Sequence, residues 1–257
     1  MTRRRTSSDL GGERVEGRRA VRELLTAGRR RVRTVWLAAG RSDDLGDLGD
    51  LADERGADVR RVTRDQLGDL ARTDAPQGVV AAAEPIEPAD LGTLLAAPST
   101  FLVALDGVTD PQNLGAILRG AETAGATGVL LPRHRAAHIT PAVTKAAAGA
   151  IEYLPIATVP GIPAAITHAA RSDVWTIGLD ADGDVTIDEL AVADRPLMLV
   201  FGAEGRGLSR LAHERCDVMA RIPMHGHLAS LNVAAAVAIS CAAIARARTA
   251  TLGASPE

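Results

Sequence analysis

The sequence predicts an α/β protein in two parts, the second built on a parallel sheet with helices on both faces. Three observations carry that expectation. Short apolar runs alternate with helical patterns along the whole chain. In the second half those runs (FLVAL, GVLL, VWTIGL and LMLVF) are nearly continuous in apolar residues, as strands buried on both faces are. Between the two parts lies PIEPADLGTLLAAPS, whose three prolines mark a linker. A length of 257 residues suffices for one large domain or two modest ones.

Taken in order, residues 1–12 are polar and are expected to form a disordered basic tail. Residues 15–27 read as a helix, with Val15, Ala20, Val21, Leu24 and Leu25 on one side and Gly28 as its stop. A strand is expected over 33–38. A helix follows over 42–56, with Ser42 as its N-cap and Gly46 and Gly49 weakening it. A strand over 58–62, a helix over 63–70 and a strand over 78–83 complete an αβαβαβ unit, residues 13–84. The linker, 85–99, holds one short helix near 90–96.

The second domain, 100–250, restarts with strands over 101–105, 128–131, 174–179 and 197–201. An extra strand is expected over 152–157 and a last one over 218–222. Helices fall at 111–124, 141–148 and 160–170. Asp110-Pro111 is a good helix start, an N-cap carboxylate followed by proline at the first helical position. Residues 231–248 form a final helix, apolar nearly all round and therefore buried in a core or an interface. Residues 251–257 are expected to be a flexible tail.

Composition narrows the class. Aromatics make up only 2% of the chain, so core volume must come from Leu, Val, Ile and Ala. The formal net charge is only −3, but residues 1–33 carry eleven arginines against four acids, an excess able to neutralise phosphates. A soluble tail plus an Arg-rich helix face explains the same count. Lys145 is the only lysine, so arginine preference carries little weight. Cys216 and Cys241 have no metal-like spacing and suit reduced thiols in the cytoplasm. No hydrophobic leader opens the chain, and the apolar stretch 233–245 is too short to span a bilayer.

Three stretches break an apolar element with polar residues or glycine. In the first, DGVTDPQNLGAILRGAETAG, a strand runs into a helix N-terminus, where open α/β proteins place ligands. It offers Asn113 and Arg119. Arg119 and Glu122 could equally form a surface i,i+3 ion pair worth about a few tenths of a kcal/mol. In the second, VFGAEGRGLSRL, Gly202, Gly205 and Gly207 let backbone approach a ligand. Its glycine order is not a dinucleotide fingerprint, since it follows a late strand. Glu204 stands there as a site residue or as a solvated loop carboxylate. In the third, IPMHGHLASLN, Ser230 is the N-cap candidate for the final helix and Asn232 lies in its first turn. His225 and His227, with no Cys or carboxylate beside them, do not make a metal site. The residues alone thus describe a polar pocket and leave its reaction open.

Together the three stretches resemble the three motifs of the SpoU (TrmH) family of RNA ribose 2'-O-methyltransferases, in order and spacing, over roughly 100–246. GRRAVRELL followed by VRTVWLA, with the ERVEGRRAV opening and GVVA, resembles the L30e-like substrate-binding domain of members that modify ribosomal RNA. The resemblance implies a SPOUT α/β domain closed by a deep trefoil knot, an exception to unknotted topology. It implies a homodimer with the final helix in the interface, and S-adenosyl-L-methionine held at Leu179, Gly202, Ile222 and Leu231. It assigns Arg119 as the proposed base for the ribose 2'-hydroxyl, or as the group that binds the neighbouring phosphate. Asn113, Glu204, Ser230 and Asn232 complete the catalytic network, and no metal is required. The implied substrate is 23S ribosomal RNA, at a guanosine of the peptidyl-transferase region. Alternatives are another rRNA ribose whose methylation confers antibiotic resistance (the DADGD after residue 179 resembles such members), a tRNA ribose or, in another class, a non-catalytic RNA-binding protein.

Overall fold

Strand composition produces two sheets of different kinds. The computed structural model describes residues 10–40, 42–134, 137–228 and 230–253. In chain order the first elements are β1 (Arg14–Glu16), α1 (Arg18–Ala27), β2 (Val32–Ala38), α2 (Ser42–Glu54), β3 (Asp58–Val62), α3 (Arg64–Leu70) and β4 (Val79–Ala83). Then come α4 (Leu91–Leu95), β5 (Phe101–Asp106), α5 (Pro111–Thr123), β6 (Gly128–Pro132), α6 (Pro141–Ala146), β7 (Ile156–Val159), α7 (Ile162–Ala170) and β8 (Trp175–Leu179). The last are β9 (Val185–Thr186), β10 (Leu197–Gly202), α8 (Arg210–Arg215), β11 (Val218–Arg221) and α9 (Val233–Gly253). The chain divides into two compact units, Met1–Pro88 with Ala137–Tyr153, and Ala89–Ala136 with Leu154–Glu257.

The first unit has a mixed four-stranded sheet, order β1-β4-β2-β3, in which only β2 and β3 are parallel. Val35 and Leu37 pair with Ala81 and Val79, and Leu24, Leu25, Leu45 and Leu48 pack with them in one core. Three expectations are corrected here. Val15 lies in a strand, not a helix: Gly17, at φ 96°, turns the chain between β1 and α1, and Val15 pairs with Ala81. Residues 10–12 are not tail. Leu10 is buried, and Gly11 and Gly12 bond to Ile86 and Ile139 through the backbone. Glu152 lies in a 3-10 turn, Ala150–Glu152, rather than in a strand. Its buried carboxylate meets Arg30 through two bonds, 2.6 Å and 2.9 Å, a fork-on-fork pair. Arg30 also donates to the carbonyls of Gly12 and Glu84. This pair and the packing of α6 on β1 place Ala137–Tyr153 in the first unit, a long-range association that no linker composition reveals. The expected Ser42 cap, and the outer parts of both tails (1–9 and 254–257), lie outside what is described.

The second unit is a seven-stranded, wholly parallel sheet, order β7-β6-β5-β10-β8-β11-β9. Every apolar residue of β5 is buried, as continuous apolar strands require. Leu102, Ala104, Met198 and Val200 pack with Ile162, Ala165 and Ile166 of α7 on one face. Side chains alternate, so Phe101, Val103 and Leu105 point to the other. There α9 brings the Arg248 guanidinium 5.0 Å from the Phe101 ring centre. Leu94 and Leu95 of the expected linker join the first of these cores, so 89–99 is part of this unit. Two strands are inserted late: β10 between β5 and β8, and β11 between β8 and β9. β1, β9 and α8 leave no mark in the sequence, each being too short to show a period.

Helix α9 departs most from expectation. It begins at Val233 and includes residues 251–253, which were expected in a flexible tail. By length and composition Val233–Thr251, mean hydropathy 1.4, could cross a bilayer. It lies instead along α5, where a Cβ on Gly120 would stand 3.6 Å from that of Ala238. Its Arg248 donates to the carbonyls of Ala193, Ser99, Thr100 and Arg195. Nor is it buried all round, since Ile239 is 42% exposed.

Candidate active site

All the candidate site residues but Arg119 gather at the carboxyl edge of the parallel sheet, and local chemistry sets them. After β5, the Asp110 carboxylate caps α5 by accepting from the Asn113 backbone N–H at 2.7 Å, with Pro111 in the first turn. This holds Asn113 at the mouth of the helix. After β10 the chain makes a closed loop. Ala203 and Gly207 exchange backbone hydrogen bonds of 3.1 Å and 2.9 Å, and Gly205 and Gly207 take φ values of 74° and 64°. A Cβ on Gly202 would lie 2.0 Å from the Gly207 carbonyl carbon, so only glycine fits. The loop is anchored from β5, where the Asp106 carboxylate accepts from Ser209 N–H at 2.9 Å. Along the sequence Asp106 is marked only as an acid followed by glycine at a strand end.

Asn232, not Ser230, caps α9. Its Oδ1 accepts from the N–H groups of Ala234 at 2.9 Å and Ala235 at 3.3 Å. That role fixes its amide orientation and turns Nδ2 outward as a donor. Nδ2 donates to Glu204 Oε1 at 2.7 Å and to Asn113 Oδ1 at 2.9 Å, and Asn113 Nδ2 donates to the same Glu204 oxygen at 3.1 Å. Three side chains from three separate stretches thus close a ring of three hydrogen bonds. Among the described residues Glu204 Oε2 accepts no hydrogen bond.

Ser230 stands exposed at the rim, with no hydrogen bond to its hydroxyl among the described residues. Arg119 is not drawn into the ring. Six residues beyond Asn113, it lies about 9 Å farther along α5 and about 120° round it. It is exposed and, among the described residues, makes no ion pair, so the alternative of a surface Arg119–Glu122 pair does not form.

Beside the ring opens a pocket of about 520 Å³, within the usual size for a small-molecule site. Leu179, Gly202, Ile222 and Leu231 all line it, and so do Asp180 and Met224, which no motif singles out. His225 and His227 lie exposed beyond it, and among the described residues no three His, Cys, Asp or Glu side chains converge as a metal site would need. In the first unit, several arginines of the basic stretch have structural partners. Arg22 meets Asp47, Arg30 meets Glu152, and Arg14 lies 5.5 Å over the Trp36 ring. Arg19 and Arg31 are exposed and unengaged among the described residues, while Arg3, Arg4 and Arg5 fall outside them.

Comparison with known proteins gives a consistent picture. Residues 100–242 match the SpoU rRNA Methylase family model, and residues 14–89 the model described as RNA 2'-O ribose methyltransferase substrate binding. The chain is 39% identical over 230 residues to the 23S rRNA (guanosine-2'-O-)-methyltransferase RlmB of Shewanella oneidensis, covering 87% of this chain and 92% of that one. It is 37% identical over 241 residues to an uncharacterized tRNA/rRNA methyltransferase of Mycolicibacterium vanbaalenii, covering 91% and 76%. Among solved structures, the SpoU methyltransferase AviRb of Streptomyces viridochromogenes, in complex with AdoMet, superimposes with a TM-score of 0.78 at 26% identity, over 92% of this chain and 90% of that one.

Proposed function

The chain belongs to the SpoU rRNA methylase family, and from that premise we propose that it methylates a ribose 2'-hydroxyl of 23S ribosomal RNA, with S-adenosylmethionine as donor. The observation that carries this reading is the hydrogen-bonded ring of Asn113, Glu204 and Asn232 at the rim of the 520 Å³ pocket. When bound, S-adenosylmethionine supplies an electrophilic methyl on a sulfonium. The pocket suits it: Leu179, Ile222 and Leu231 offer apolar walls to a flat base, Gly202 admits close approach, and the carboxylates of Asp180 and Glu204 favour a cationic ligand.

In this reading, the protein's part is positioning. Glu204 Oε2 and the Asn113 amide orient the target ribose, the Ser230 hydroxyl joins them from the rim, and Asn232 keeps the ring closed. Holding the attacking oxygen in line with the methyl supplies much of the rate. Arg119 binds the phosphate next to the target nucleotide. A guanidinium keeps its protons, so phosphate binding is the easier of its two roles, and removal of the hydroxyl proton through Arg119 is the more demanding one. The first unit holds RNA by phosphate contacts and shape.

The same reading includes a deep trefoil knot and a homodimer. The late insertion of β10 and β11 between earlier strands supports the knot. Leu228 and Ile239, 76% and 42% exposed and outside the pocket lining, fall in the C-terminal segment, and a second copy would cover them. The protein acts in the cytoplasm, where its two thiols stay reduced.

Mapping 2'-O-methyl groups on rRNA and tRNA from cells with and without the gene tests the function. Loss of one 23S methyl group is expected. An unchanged rRNA profile with a lost tRNA methyl group overturns the substrate, and a site at a drug-binding nucleotide identifies a resistance enzyme instead. Failure of the purified protein to transfer methyl groups to any RNA supports the non-catalytic alternative.

A further inference from the structure

The carboxyl ends of β5, β10, β8 and β11 follow one another across the sheet. The chain after them supplies, in the same order, Asn113, Glu204, Asp180 and Ile222. Asp180 lines the same pocket as Glu204, one strand farther from the ring. Its backbone is held firmly, with N–H to the Ala220 carbonyl at 3.0 Å and its own carbonyl accepting from Gly183 N–H at 3.3 Å. Gly183 leaves no slack there, since a Cβ would stand 2.5 Å from the Ala220 carbonyl carbon. One carboxylate oxygen of Asp180, Oδ1, accepts from Asp182 N–H at 3.0 Å. The other, Oδ2, lies on the side of Gly207, 3.8 Å from where a Cβ on that glycine would stand. Among the described residues it accepts no hydrogen bond.

The pocket's other polar side chains do not offer such a group toward β8. Glu204, through Oε1, and Asn232 belong to the ring with Asn113 on the β5 and β10 side, and Ser230 sits at the rim. We propose that Asp180 is a cofactor-binding residue whose Oδ2 accepts from the ribose hydroxyls of S-adenosylmethionine. This rests on the cofactor reading above. The reacting end of the ligand belongs beside the ring, at β5 and β10, where a hydroxyl can be oriented. The nucleoside end then extends toward β8 and β11, where Leu179 and Ile222 offer apolar contact to a base and Asp180 stands between them. A carboxylate only accepts hydrogen bonds, and a vicinal diol presents two donors side by side. The same pairing of an acid at a strand end with a ribose recurs in dinucleotide-binding folds.

Calorimetry on the full-length protein tests this with three probes: S-adenosylmethionine, 5'-methylthioadenosine and the 2',3'-dideoxy form of 5'-methylthioadenosine. Asp180→Ala is expected to weaken the first two by about ten- to a hundredfold, the worth of one or two hydrogen bonds to a charged group. It should leave the dideoxy probe, already weak, unchanged. Asp180→Asn keeps the acceptor for Asp182 N–H, and so the loop, and should fall between wild type and alanine. Unchanged affinities in both variants overturn the proposal. So does a loss confined to S-adenosylmethionine with methylthioadenosine unaffected, which would place Asp180 at the amino-acid end. Absence of heat from wild type with S-adenosylmethionine overturns the cofactor reading itself, a result distinct from either.

Discussion

Asn232 does two jobs with opposite ends of one amide, and the two can be separated by substitution. Its Oδ1 caps α9, and its Nδ2 donates to Glu204 and Asn113. Asn232→Ala removes both. Loss of the cap costs about 1 kcal/mol. The two side-chain bonds are solvent-exposed, so together they add about 0.5–1 kcal/mol. Asn232→Ser keeps a hydroxyl that caps as well as an amide but is too short to reach the ring. It should therefore be about 1 kcal/mol more stable than Asn232→Ala in urea titration. Activity should not follow stability. In both variants Glu204 loses its 2.7 Å bond and Asn113 Oδ1 loses the Asn232 donor, so both should methylate about ten- to a hundredfold more slowly, a loss of about 1.4–2.8 kcal/mol. Single-turnover transfer of tritiated methyl groups reads this. Near wild-type rate in Asn232→Ser would refute the role of the ring, and equal stability of the two variants would refute the cap.

Other consequences follow from particular contacts. Arg119→Ala should abolish methylation while leaving urea stability within about 0.5 kcal/mol and the oligomeric state unchanged, because Arg119 has no partner among the described residues; retained activity removes it from the mechanism. Arg248→Ala strips four carbonyls of a shared donor and Phe101 of its cation, and should cost about 2–4 kcal/mol in urea denaturation. Ser240 is fully buried in α9 and, among the described residues, its hydroxyl has no partner, so Ser240→Ala should raise stability by up to about 1 kcal/mol; a loss of that size would mean the hydroxyl is bonded. Burial pushes both thiols up to about 12, with Asp217 and then Asp106 adding to the effect at Cys216. The folded thiols therefore keep their protons where unfolded ones lose them, so their contribution to stability is present below about pH 9 and falls as pH rises toward 12. Thiol reagents at pH 8 should label the protein only as it unfolds.

Much of this molecule was legible along the chain because its signals are local. Apolar runs such as FLVAL mark buried strands whatever lies beside them, and Asp110-Pro111 starts a helix because both effects act within one turn. The candidate residues were legible in the same way, as polar breaks in apolar elements. Their meeting was not. Whether Ser230 or Asn232 caps α9 depends on where the chain enters the helix, and that follows from the bonds of Asn232 to residues 28 and 119 positions away in sequence. Arg119, on the same helix as Asn113, stays out of the ring because a helix fixes their separation. The adoption of Ala137–Tyr153 by the first unit rests on the buried Glu152 carboxylate finding Arg30, 122 residues away, and on the packing of α6 against β1. Short-range patterning chose the elements and placed the chemistry at their ends. Long-range packing chose the neighbours, because a side chain's partner is set by which strands lie side by side, and the order of the sheet is written in no single stretch.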